Sequence, residues 1–346
     1  MGNQVVPNQP VKAKVRKPHE SWEDINVLDN KDGTHKVTVF GQVDGKCKVT
    51  MTVGDQPIPG CPVIIPVVNR SITTIGSEGI GEGQYNAPLS VAINKNGEIV
   101  AADTDNERLQ MTTRDGTFEK ILNFPQFEMP FSPYDIAVCN DNEYYSLDNN
   151  NKQVVVSDED GNVIRNFGQT ELTDPYGIAI SPLDDNVYVT EHCDDCVRIY
   201  TKHGKYLRSF GSAGNSEVAF NGPWGVVVGS NGVAFVADRY NNCIHVFNKD
   251  DKYLYSFECK SKAGELLLPM GITIENDKYI YVTATTDDDS EDGLILKFRR
   301  GGKFVCRNDS DSDRLGHPSG IALTDDVPSR VVVADRGNHC IKVFVQ

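Results

Sequence analysis

One phrase recurs six times along the chain. It is a proline followed by a short alternating apolar run: PLSVAI from Pro88, PYDIAV from Pro133, PYGIAI from Pro175, PWGVVV from Pro223, PMGITI from Pro269 and PSGIAL from Pro318. Successive prolines lie 45, 42, 48, 46 and 49 residues apart. Self-similarity at a fixed period of this size means one supersecondary unit, copied and stacked. Seven to nine residues after each proline comes a turn pair: Asn96-Gly97, Asp141-Asn142, Asp184-Asp185, Asn231-Gly232, Asn276-Asp277 and Asp325-Asp326. Such residues tolerate the positive φ that a two-residue hairpin demands. A β-rich run follows (EIVAAD, EYYSLD, NVYVTE, VAFVAD, YIYVTA, RVVVAD), then a loop and a third run (RLQMT, QVVVS, VRIYT, IHVFN, ILKFR, IKVFV). Five repeats add a second turn, as at Asp115-Gly116 and Gly301-Gly302, and a fourth run such as KYLRSFG. Four antiparallel strands per period, with no helical pattern, predict an all-β, six-bladed β-propeller.

The sixth repeat runs out at Gln346 before a fourth strand, and a matching segment stands in front of the first repeat. SITTIGSEGIGEGQYNAP corresponds to YLRSFGSAGNSEVAFNGP, and Ile75–Pro88 and Phe210–Pro223 are both 13 residues apart. The run Ser71–Gly76 is therefore expected to supply the missing strand, which closes the ring and covers an open sheet edge.

The charge is uneven. Residues 1–69 carry 8 basic and 7 acidic side chains, and the remainder carries 26 and 42. So acidic a module repels nucleic acid and anionic membranes unless a local basic patch intervenes. No apolar run approaches the ~18 residues of a membrane-spanning helix. Nine scattered cysteines, an odd number, without a secretory leader after Met1, point to reduced thiols and a cytoplasmic setting.

GVAFVADRYNNCIHVF and RVVVADRGNHCIKVF closely resemble NHL repeats, and the resemblance runs over residues 71–346. It weakens in the fifth repeat, where TATTDDDSEDGLILKF replaces the D-x-x-N loop. Upstream, VLDNKDGTHKVTVFGQVDGKCKVTMTVGDQPIPGCPVIIPVV resembles the later part of a filamin-type immunoglobulin-like repeat. Strands are expected at Val11–Arg16, Ile25–Leu28, His35–Phe40, Cys47–Val53 and Val63–Val67, fewer than the roughly seven of a full sandwich. This partial repeat reads as a truncation. The expected order is a disordered tail over 1–10, the partial immunoglobulin-like β-sandwich over 11–69, and the NHL propeller over 70–346. A filamin repeat followed by six NHL repeats is similar to the C-terminal half of the tripartite-motif NHL proteins, in which a RING, B-boxes and a coiled coil come first. None of those three is seen in this sequence.

Both hairpin turns of a repeat fall on one face. The loop between the second and third strands and the linker into the next repeat fall on the other, which is therefore the expected binding face. There the positions after the anchor prolines are Leu89, Tyr134, Tyr176, Trp224, Met270 and Ser319; the aromatic ones could stack bases or grip a peptide. In five outer loops an acid precedes Asn or Asp by three (Asp103/Asn106, Asp148/Asn151, Glu191/Asp194, Asp238/Asn241, Asp335/Asn338), a pattern that caps turns. Basic or aromatic extras are Arg108, Lys152, Arg239, Tyr240, Arg336 and His339. Partner-binding candidates are Tyr134, Tyr176, Trp224, Arg239, Tyr240, Arg336 and His339.

The family resemblance implies recognition of a protein or of RNA on this face, and in the whole protein the targeting half of a ubiquitin ligase. Asp287, Asp288, Asp289, Glu291 and Asp292 in the fifth repeat, with Asp309, Asp311 and Asp313 in the linker after it, disfavour phosphates. A protein partner or ubiquitination substrate is the expectation, RNA the alternative, and neither DNA nor membrane is expected. No catalytic residue, cofactor or metal is assigned. Cys193-Asp194-Asp195-Cys196 lacks the second ligand pair of a structural zinc site, and His192 beside it does not complete one. Cys196, Cys243 and Cys340 share one repeat slot, as buried packing thiols would. The residues before the prolines offer one Asp and one His, Asp174 and His317, too few for the channel metal of a zinc lyase. Asp135 with Asp174 would be a thin version of a calcium-dependent hydrolase site.

Overall fold

The computed structural model describes residues 10–16, 22–25, 27–29, 35–37, 45–53, 56–67, 72–211, 218–261, 264–286, 292–308 and 314–345. The chain divides into two compact units, Met1–Ser71 and Ile72–Gln346.

In the first unit Trp22–Ile25, Val11–Arg16, Gly45–Val53 and Gln56–Pro57 pair in that order, with Val63–Val67 also on Gly45–Val53. Val27–Asp29 pairs separately with His35–Val37. The single strand expected over Ile25–Leu28 is thus two strands serving two sheets. Val15 and Val49 are its fully buried centre, flanked by Ile25, Val37 and Met51. Trp22, Leu28, Val63 and Ile64 are exposed. Of the tail expected over 1–10, residues 1–9 lie outside the described residues.

In the second unit each repeat forms its own antiparallel sheet. The first contains Ser90–Ile93, Ile99–Asp103, Arg108–Thr112 and Phe118–Leu122. The second runs Pro133–Val138, Tyr144–Asp148, Gln153–Ser157 and Val163–Phe167; the third Pro175–Ile180, Val187–Glu191, Cys196–Tyr200 and Tyr206–Phe210. The fourth runs Pro223–Val228, Ala234–Asp238, Cys243–Phe247 and Tyr253–Glu258. The fifth has Leu268–Glu275, Tyr279–Thr285, Asp292–Arg299 and Phe304–Arg307, with Leu315–Gly316 added on the third of these. The sixth joins Pro318–Leu323, Arg330–Asp335 and Cys340–Val345 to Ile72–Ile75, with Ile75 opposite Ile341 and Ile72 opposite Phe344.

The apolar alternation is spent between sheets. Val100, Leu109 and Met111 of the first sheet meet Ile136, Tyr144 and Val155 of the second. Comparable clusters join each later pair. Ile75, Val91, Ile99, Val332, Ile341 and Val343 join the sixth to the first. Hydrogen bonds follow the same circuit. Thr104 Oγ1 donates to Pro133 O, Asn149 Nδ2 to Pro175 O, Thr190 Oγ1 to Trp224 O, Asn242 Nδ2 to Leu267 O and Thr283 Oγ1 to Ser319 O. From sixth to first, Gly320 N donates to Leu89 O at 2.7 Å.

The anchor phrase now has a physical reason. In repeats two, three, four and six the proline starts the inner strand, in the fifth it is the strand's second residue, and in all five a register shift follows, a place where a missing N–H is tolerated. A Cβ on Gly177 would lie 2.2 Å from Trp224 O, and one on Gly271 2.3 Å from Ser319 O. Gly225 and Gly320 meet the next strand at 2.5 Å in the same way. Glycine here lets neighbouring inner strands touch backbone to backbone. The first two repeats have Ser90 and Asp135 instead, and their side chains bond to each other. Asp135 also accepts from Ile178 N at 2.7 Å, so a carboxylate spans three sheets. Burial pushes that carboxyl up to about 6. The inner strands line a channel of about 290 Å³, with residues from all six sheets.

The hairpins differ from the two-residue expectation. In Asn94–Glu98, Thr113–Thr117 and Asn248–Lys252 three residues connect the paired ends. Only the last of the three has positive φ: Gly97 at 80°, Gly116 at 90° and Asp251 at 59°. This is a type I turn closed by a left-handed residue, which absorbs strand twist with one strained position instead of two. In the sixth repeat Asp325 and Asp326 have no positive φ, and Thr324 N reaches Arg330 O across a longer loop.

Candidate functional site

The acid–Asn loops are staples. Asp238, fully buried, accepts from Asn221 N at 2.8 Å in the incoming linker and from Asn241 Nδ2 at 2.7 Å; Asn241 also donates to Ala219 O. Asp103/Asn106, Asp148/Asn151 and Asp335/Asn338 repeat the arrangement. The linker is thereby pinned over its sheet, and the face it forms is held stiff.

Arg108 belongs to this framework. Its Nε donates to Asp103 Oδ2 at 2.8 Å, and its remaining nitrogens to the carbonyls of Ile80, Gly81 and Gln84. His339 is similarly engaged: left-handed at φ 50°, it accepts from Ala87 N through Nδ1 at 3.0 Å. Asp195 does the same for Gly222 N between the third and fourth sheets. His339 thus ties the sixth sheet to the linker of the first. Arg336 is exposed on the turn Arg336–Asn338, and its charge is felt at Tyr134.

The ring of residues after the prolines is uneven. Leu89, Met270 and Ser319 are buried. The other three gather with residues of neighbouring loops into one aromatic cluster over the second, third and fourth sheets. Tyr134 meets Tyr176 edge-on at 5.1 Å, and Tyr176 meets Trp224 at 4.4 Å. His192 stacks on Tyr176 at 4.5 Å and packs edge-on to Trp224 and Tyr240. The Arg239 guanidinium lies 4.6 Å from the Trp224 ring centre and 5.5 Å from that of Tyr240. Such arrangements favour edge-on and cation–π contact. Gly222, at φ 65°, makes this packing possible: a Cβ there would stand 2.7 Å from the Tyr240 ring and 3.0 Å from His192 Nε2.

Burial differs sharply within the cluster. Trp224 is 9% exposed and Tyr240 49%. Trp224 is the packed floor, and Tyr240 with half-buried Tyr134 and Tyr176 is the accessible surface. Burial, with Asp174 nearby, pushes the Tyr176 phenol up to about 12, so it stays a neutral donor. Burial, partly opposed by Asp174, holds His192 below the ordinary imidazole range. The cluster's one fixed positive charge is therefore Arg239. The sequence brought out Tyr134, Tyr176, Trp224, Arg239 and Tyr240, and the structure brings these five together. It missed His192 as part of them, because the loop EHCDDC was read for turn-capping acids and zinc ligands and not for aromatic packing. The slot that gives Arg239 and Arg336 in repeats four and six gives His192 in the third.

Residues 287–291 and 309–313, which carry most of the acids expected to disfavour phosphate, lie outside the described residues. Asp292 opens a strand of the fifth sheet. Among the described residues no disulfide is formed, and Cys196, Cys243 and Cys340 are buried. No helix among the described residues is long and apolar enough to cross a membrane.

Comparison with known proteins places these features. The NHL repeat family model matches residues 220–247, and the Filamin/ABP280 repeat model residues 2–64. Protein lin-41 of Caenorhabditis elegans is 26% identical over 125 residues, 33% of this chain and 11% of that protein. E3 ubiquitin-protein ligase TRIM71 of Rattus norvegicus is 32% identical over 100 residues, 27% of this chain and 12% of that protein. Protein brain tumor of Drosophila melanogaster is 28% identical over 148 residues, 41% and 14%. The matched segments thus span only 11–14% of these relatives. Among solved structures, a streptogramin B lyase superposes with a TM-score of 0.58 at 14% identity, over 80% of this chain and 97% of that one. A structural genomics protein from Bacteroides thetaiotaomicron gives 0.63 at 14% identity, over 97% and 90%. At such identity these two speak for the fold alone.

Proposed function

Because the chain pairs a filamin repeat with NHL repeats, and its relatives lin-41, TRIM71 and brain tumor are tripartite-motif NHL proteins, we propose that it is a non-catalytic recognition module. In this reading residues 70–346 form a closed six-bladed propeller after a partial filamin-type repeat at 11–69. Its linker-bearing face holds a protein partner in the cytoplasm, as the targeting part of a larger ubiquitin ligase. The supporting observation is the aromatic cluster: an exposed Tyr240 and half-buried Tyr134 and Tyr176 on a rigid floor of Trp224. Rigid aromatic anchors beside one arginine are the composition of interface hot spots. Arg336, at the equivalent slot across the face, is a peripheral contact, and His339 contributes mainly by fixing the linker.

RNA is the second reading, favoured by Arg239 lying over two aromatic rings, since bases stack on such platforms. The acidic balance of the propeller part argues against it. Two measurements separate the readings. A protein partner recovered by crosslinking through Tyr240 should persist at high salt and be lost in Tyr240→Ala, by about 2 kcal/mol or more in affinity. Randomised single-stranded RNA should show no more than weak association. Tight RNA binding that falls steeply with salt and is abolished by R239E would replace the protein reading with the RNA one.

A further inference from the structure

We propose that Asp174, His192 and Cys193 form a site for one zinc-type divalent cation at the loop end of the third sheet. Asp174 comes from the linker before that sheet, and His192 and Cys193 from the loop after its second strand. The pairing of Asp174 O with His192 N at 3.0 Å holds linker and loop together. Ligand atoms of the three side chains lie within 4.8 Å of one another.

The two oxygens of Asp174 have different tasks. Oδ1 accepts from Asn149 Nδ2 at 3.3 Å and lies 3.8 Å from Lys152 Nζ. Oδ2 faces Cys193 Sγ at 3.0 Å and His192 Nδ1 at 3.6 Å. An ion on Oδ2 would leave the Lys152 and Asn149 contacts in place. Bonds of about 2.0–2.3 Å in a tetrahedron put ligand atoms roughly 3.3–3.8 Å apart, against 3.0 and 3.6 Å for the two pairs on Asp174 Oδ2 and no more than 4.8 Å for the third.

Thiolate, imidazole and carboxylate together select a thiophilic ion over magnesium or calcium. Cys193 is exposed, which leaves a fourth position open to water or to a side chain of a partner. A cation bound by Cys193 Sγ takes the place of the thiol proton, which leaves to solvent. Among the described residues His192 Nε2 has no hydrogen-bond partner, so the imidazole is not committed through that atom there.

Cys196, the other half of the C-x-x-C pair, is buried at the head of its strand and does not join this group. The cluster Asp238, Cys243 and His245 is a weaker candidate. All three residues are buried, His245 Nε2 already bonds Asp238 Oδ2 at 3.0 Å, and Asp238 also serves the linker staple.

The full chain, reduced and stripped of metal, is titrated with zinc while cysteine alkylation is followed residue by residue by mass spectrometry. Zinc is expected to slow alkylation of Cys193 at least about tenfold and to leave Cys61 and Cys306 unchanged, with protection lost in Asp174→Asn. Cobalt(II) should give a thiolate charge-transfer band that disappears in Cys193→Ser, whose fold is verified by circular dichroism. No protection of Cys193 at millimolar zinc, equal protection in Asp174→Asn, or a cobalt band that survives in Cys193→Ser would overturn the site.

Discussion

Replacing Asp103 by alanine is expected to cost about 3–5 kcal/mol of stability, the range for removing one partner of a buried ion pair. Asp103 is fully buried and holds three groups at once: Asn86 N at 2.7 Å, Asn106 Nδ2 at 2.9 Å and Arg108 Nε at 2.8 Å. Burial still pushes its carboxyl up, so the three donors are what keep the charge tolerable. Alanine would leave the Arg108 charge buried without its counter-ion and free the linker before the first sheet. Asp103→Asn keeps the shape and one acceptor and should cost less, about 1–3 kcal/mol. The exposed pair Lys120–Asp160 is the comparison: Asp160→Ala should change stability by no more than about 1 kcal/mol. Urea unfolding measures all three. A loss below about 1 kcal/mol for Asp103→Ala would mean the staple does not hold the linker.

The second large effect is expected at Gly177. An added methyl would stand 2.2 Å from Trp224 O, a carbonyl that already accepts from Thr190 Oγ1. It cannot be relieved by a side-chain rotation, because the obstructing atom is backbone. The inner strands of the third and fourth sheets must separate. Gly177→Ala should therefore cost about 3 kcal/mol, the upper part of the overpacking range. Since Trp224 rides on the displaced strand, its fluorescence and the Arg239 contact should change with it. Gly301→Ala, in an open turn with nothing within 4 Å of the new Cβ, should lie within about 0.5 kcal/mol of the parent. Equal stability of the two variants would remove the reason offered for the repeated proline-x-glycine phrase.

What the sequence disclosed follows from how local each cause is. Strand alternation, turn residues and the acid–Asn spacing are each set within a few positions, and the six sheets and their staples were legible from them. The aromatic cluster was half legible, because Tyr134, Tyr176 and Trp224 share a repeat slot. His192 does not share that slot, and only the approach permitted by Gly222 brings it between Tyr176 and Tyr240. Arg108 and His339 read as surface extras for the opposite reason. Their partners, Gly81 and Ala87, are 27 and 252 residues away in the chain. Hairpins such as Asn94–Glu98, Thr113–Thr117 and Asn248–Lys252 were misjudged by one residue, since Asn, Asp and Gly signal a left-handed position without counting the residues before it.

The claim on which the rest depends is that the strand ahead of the first repeat completes the last sheet. Hydrogen–deuterium exchange tests it directly. Amides of Ile72–Ile75 that face Cys340–Val345 should exchange as slowly as those of Cys340–Val345, and Val343→Ala should speed both segments together. Rapid, unprotected exchange over 72–75 beside a protected 340–345 would show an open last sheet and contradict the account.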